Sequence, residues 1–156
     1  MAAWIILYGI IQAYSPKLFL KEDNRKINLV DISKNWVLYL LINLILLTFL
    51  LFFFSEIFLT TIFLFSGLFI FCGIFAVNSS IHSYLILHFS KMNRVSLDVG
   101  FYYMANATGR FFGTLLSGLS YQFGGLTLSL ALSTIMIAFC LYLTSFLQES
   151  YNEQKI

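Results

Sequence analysis

The sequence predicts an all-α integral membrane protein, a helical bundle of four full spans preceded by part of a fifth. Three observations carry this. Hydrophobic residues make up 60% of the 156 residues and charged residues only 10%, against roughly a quarter charged in a soluble domain. Long uncharged runs recur at the ~20 residues needed to cross ~30 Å of hydrocarbon. Lys and Arg gather in alternate connections, the pattern of a chain whose every second connection faces the cytoplasm.

Residues 1–14 are apolar but too short to cross, and Pro16 is expected to end them; they read as a partial transmembrane helix whose beginning is missing. No basic region precedes the run and no small-residue cleavage site follows it, which argues against a signal peptide. Residues 15–35 carry Lys17, Lys21, Arg25, Lys26 and Lys34 and form a basic cytoplasmic loop. The bundle occupies 36–147, with spans at about 36–54, 57–89, 98–122 and 126–147. Of their connections, 90–97 carries Lys91 and Arg94, whereas Ser55–Glu56 and Phe123–Gly125 carry no Lys or Arg. Residues 148–156, with Lys155, form a tail. Eight of the nine basic residues then lie on one side, which places the basic loops and the C-terminus in the cytoplasm and the chain in the plasma (inner) membrane. Splitting 57–89 in two would put the basic loops on opposite faces, so it is read as one long span.

Ser96 is expected to cap the third span, with Asp98 in its first turn, and Gly124-Gly125 to turn tightly into the fourth. Cys72 and Cys140 lie singly inside apolar runs and act as small hydrophobes. Two glycosylation patterns, at Asn78 and Asn106, fall inside spans and are discounted.

The ninth basic residue, Arg110, stands in the third span, 12 residues beyond Asp98. At 1.5 Å per residue that is about 18 Å along the helix, mid-bilayer. A central Arg costs about 2.5–3.5 kcal/mol on insertion scales. No carboxylate of this chain lies at that depth; Glu56 and Asp98 sit at helix ends and the other five acidic residues in loops or the tail. Two readings stand side by side. Arg110 joins helices through Tyr102, Tyr103, Asn106, backbone carbonyls or a carboxylate on another segment, or it binds an anion, for which guanidinium suits phosphate-like oxyanions. Asn106, Arg110 and Thr114, four apart, share its helix face, and Tyr103 lies near them. Beside them Ala105, Gly109, Gly113 and Ser117 form a small-residue stripe expected to pack a neighbouring helix.

A second polar group, Asn78, Ser79, Ser80, His82 and Ser83, either lines a water-filled cavity, with His82 able to carry a proton, or hydrogen-bonds a neighbouring helix. His88 reads as interfacial. No Ser/His/Asp set, metal-ligand cluster or phosphate-cradling glycine loop lies outside the spans, so the expectation is a non-enzyme without cofactor or metal. The small, segregated net charge of +2 describes orientation in a bilayer and implies no nucleic-acid partner.

The order of a basic loop, two spans with a minimal outer connection, a second basic loop, a Gly-rich helix with GRFFG, then YQFGG and a last span resembles the C-terminal half of a major facilitator superfamily permease. FAVNSSIHSYLIL (75–87) with VSLDVGFYYMANATGR and GTLLSG (95–118) is most similar to the organoarsenical branch, the arsenylated phosphoglycerate efflux permeases of arsenic resistance. The resemblance runs over essentially the whole chain. It implies export of a small anion bearing phosphate and arsenate groups, with Arg110 contacting the oxyanion and Asn106, Tyr103, Asn78, Ser79 and His82 as weaker cavity candidates. A full permease holds its substrate between two halves. The chain is therefore expected to be a truncated product, to meet an N-terminal half, fused or separate, or to associate with itself. The competing expectation is a small polytopic scaffold or regulatory subunit whose Arg110 pairs with a partner's acidic residue.

Overall fold

The computed structural model describes residues 2–20, 29–53, 57–90 and 93–153. They form four helices: α1 (Ala2–Leu20), α2 (Leu29–Phe53), α3 (Ile57–Phe89) and α4 (Val95–Glu153). Three of them are long and apolar enough to cross a membrane, over Val30–Phe53, Phe58–Leu87 and Val95–Phe146. In hydrocarbon no water satisfies backbone groups, so these runs take the one conformation that bonds every N–H within the segment. Hydroxyls follow the same rule: Thr48, Ser83, Thr108, Thr134 and Thr144 each donate to the carbonyl four residues back, at 2.8–3.0 Å.

As one rod, α4 would run about 88 Å, nearly three hydrocarbon thicknesses. It is instead broken at Gly124 (φ −146°, ψ 20°) and Gly125 (φ 63°, ψ −156°). Gly125 occupies a backbone region essentially closed to side-chain-bearing residues. Across this turn Ser120 and Ser129 bring their hydroxyls to 2.9 Å, and Ser129 Oγ donates to the Ser117 carbonyl at 3.1 Å. Residues 117 and 129 would lie ~18 Å apart on a straight helix. The chain has therefore folded back, and α4 comprises two arms, 95–123 and 126–153.

α2 is the hub. It runs antiparallel to α3, since Ser33 meets His82 while Leu47 meets Gly67. A Cβ added at Gly67 would clash with Cδ2 of Leu47 and lie 3.1 Å from its Cγ, so the two helices touch as closely as glycine permits. The second arm of α4 packs on the same helix: Leu130 joins Leu44 and Leu47 in a buried cluster, and Thr48 and Thr134 bring their hydroxyls to 3.3 Å. α1 packs on α3, with Tyr8 near Phe75 and Ile11 against Gly73.

Four sequence expectations are corrected. α1 continues through Pro16 to Leu20; packing on α3, with Ser15 fully buried, sustains the turn that a proline would weaken. α2 begins at Leu29, with Asp31 in its favourable first turn, so 15–35 is not a single loop. The connection, 21–28 with Lys21, Arg25 and Lys26, lies outside the described residues, as do Glu56, Lys91 and Lys155. α4 begins at Val95, and the Arg94 carbonyl accepts the N–H groups of Leu97 and Asp98, so Ser96 is already inside the helix rather than its cap. Helix also continues past 147 to Glu153, shortening the expected tail.

Candidate functional site

The first arm of α4 is held only near its ends. At its start Asp98 Oδ2 accepts from Ser90 Oγ at 2.6 Å, and Tyr102 OH lies 3.3 Å from Ser83 Oγ on α3. At its far end stand the Ser120 and Ser129 contacts. Between them every residue from Tyr103 to Leu119 is exposed.

Arg110 stands at the centre of this open stretch. No described residue offers its guanidinium a hydrogen bond or ion pair, and Asn106 on the same face is equally unengaged. Tyr102 was a candidate partner for Arg110, but its hydroxyl is turned to Ser83 instead. The backbone carbonyl of Arg110 accepts from Thr114 Oγ1 at 3.0 Å, so Thr114 serves its own helix. Tyr103, 63% exposed, flanks the face with its ring edge-on to Tyr102. The neighbouring stripe of Ala105, Gly109, Gly113 and Ser117 is open too. A Cβ added at Gly109 or Gly113 would meet nothing within 4 Å, so the stripe packs against none of the described helices. The close approach expected there occurs at Gly67 instead.

The α3 cluster is built in the opposite way. Asn78 and Ser80 are buried beside Ala76, Val77 and Ile81, the most enclosed stretch of the helix. His82 Nε2 lies 3.3 Å from Ser33 Oγ on α2, and Ser83 bonds both the Ser79 carbonyl and Tyr102. His82 and Ser83 bind helix to helix. Of the two sequence readings the structure favours this one for His82 and Ser83, and leaves Asn78 Oδ1 buried without a partner. Among the described residues no contact runs from Asn78, Ser79 or His82 to Arg110. Asn78 is buried and Ser79 and His82 are half-buried on α3, whereas Arg110, Asn106 and Tyr103 are exposed, and the two groups meet through Ser83 and Tyr102. The side chain of His88 lies outside the described residues.

Sequence reasoning missed Ser33 as the partner of His82 and the Thr48–Thr134 pair. Ser33 fell in the supposed loop, and no spacing signal links residues 86 apart on different helices. Compared with known proteins, the chain matches no family model, no curated protein and no solved structure.

Proposed function

We propose that this chain forms the C-terminal half of a major facilitator superfamily efflux permease, exporting a small organoarsenical or phosphate-bearing anion. The observation that carries the reading is Arg110: a guanidinium midway along an apolar helix, on an exposed face where no described residue engages it. A charge at that depth needs water, an anion or a carboxylate. A second half facing this arm would enclose an aqueous path with Arg110 in its wall and Asn106 and Tyr103 beside it. In this reading the chain moves its substrate without transforming it. His82 and Ser83 tie α3 to α2 and to the first arm of α4 while the halves rock about the substrate.

The test is accumulation of an arsenylated phosphoglycerate in everted vesicles from cells producing this chain with its other half. Arg110→Ala is expected to lower accumulation about tenfold or more, the loss of one charge-assisted contact, with unchanged protein level. Accumulation equal to wild type sinks the reading.

The open stripe at Gly109 and Gly113 favours a second reading, a scaffold or regulatory subunit, because small residues beside a charge also suit a tightly packed partner helix. Its signature is co-purification of another membrane protein that Arg110→Ala releases, with no effect on export.

A further inference from the structure

A cavity of about 240 Å³ opens between α2, α3 and the second arm of α4, walled by Val30, Ser33, His82, Leu85, Phe89 and Thr144. Its polar residues are turned away from it. Ser33 and His82 engage each other, and Thr144 donates to the Cys140 carbonyl at 2.9 Å. What remains for an occupant is almost wholly hydrocarbon. The volume is larger than the ~150 Å³ cavities that hold benzene and smaller than the ~300 Å³ at which drug-sized sites begin.

Its position narrows the occupant further. Val30 starts one apolar span, Phe89 lies just past the end of another, and Thr144 is close to the end of the third. The cavity therefore sits where acyl chains meet headgroups. Lys34 lies one turn beyond Val30 on the same side of α2. Side chains lean toward the N-terminus of their helix, which here is the interface, so the lysine stem runs toward the end of α2 where Val30 lines the cavity.

We propose that this cavity holds part of one acyl chain of an anionic phospholipid whose phosphate is met by Lys34. The site is independent of anion export, because none of its residues belongs to the Arg110 face.

The experiment reconstitutes the full chain in phosphatidylcholine nanodiscs carrying a trace of phosphatidylglycerol with a diazirine in its acyl chain. Labelled residues are mapped by mass spectrometry beside a matched phosphatidylcholine probe. The phosphatidylglycerol label is expected to concentrate on 82–89 and 141–146 relative to the exposed Phe58 and Phe65. Leu85→Trp, which fills the cavity, should remove that enrichment. Lys34→Gln should leave the cavity open and lower the preference for phosphatidylglycerol about fivefold, the worth of one interfacial lysine. Label spread evenly over the lipid-facing surface overturns the proposal, as does a headgroup preference that survives Lys34→Gln. Should Leu85→Trp fail to fold, the lysine variant decides.

Discussion

Two polar regions of this chain sit on helices of similar composition and meet opposite fates. On α3, His82 and Ser83 engage α2 and the first arm of α4 across short distances. On that arm, Asn106 and Arg110 reach no other described residue. Their residue types do not separate the two, since each joins an asparagine to a basic or titratable side chain. What separates them is whether a neighbouring helix of this chain is there to receive them. Polar groups that join helices are consumed by the fold; those left over mark the surface where something else must come.

Glycines show the same contrast, and the largest expected effect lies there. Gly67→Leu should force α2 and α3 apart and destabilise the chain by about 1–3 kcal/mol, the usual range for overpacking. Gly113→Leu, in open space, should stay within about 0.5 kcal/mol of wild type. Denaturation midpoints in mixed micelles check both, and equal losses would break the comparison. Gly125→Ala comes next. Its φ and ψ should make the variant about 1–3 kcal/mol less stable, seen as a lower midpoint with the Ser120–Ser129 contact weakened in crosslinking between cysteines placed at those sites.

A double-mutant cycle of Ser33→Ala and His82→Ala is expected to give a coupling near 0.6 kcal/mol, the average for interhelical hydrogen bonds in a membrane. Zero coupling would return His82 to the cavity reading. Last comes Arg110→Ala, which is expected to cost the isolated chain nothing, because no contact is lost and the expense of a charge at that depth is relieved. A large loss there would show that Arg110 is already engaged and would erase the difference between the two regions.

Much of the architecture is legible in the residues. The apolar run from Ile57, read on through its polar stretch because the basic loops must share one side, coincides with α3, and Gly124-Gly125 announces the turn. The start of α2 is not legible, because Leu29–Lys34 mixes charge with apolar residues as a loop does. Losing those residues to a loop also hid Ser33. Close packing was misplaced for a related reason. A stripe of small residues tells what one helix offers, whereas contact needs a knob on the other, and Leu47 supplies it to the solitary Gly67. The depth of Arg110 follows from counting alone. Its lack of a partner needed the positions of every other helix.

The glycine turn in α4 also bears on how the protein is made. The residues that join the two arms, Phe123, Gly124 and Gly125, carry no charge. For two arms long and apolar enough to cross a membrane, an uncharged turn is the cheapest part of the region to carry through hydrocarbon during biosynthesis. Both arms can enter from one side as a single hairpin, without a hydrophilic loop having to be threaded across. Insertion of 95–153 is then one event rather than two, and a charge introduced at the turn would be felt by the ribosome-bound chain before it was felt by the folded one.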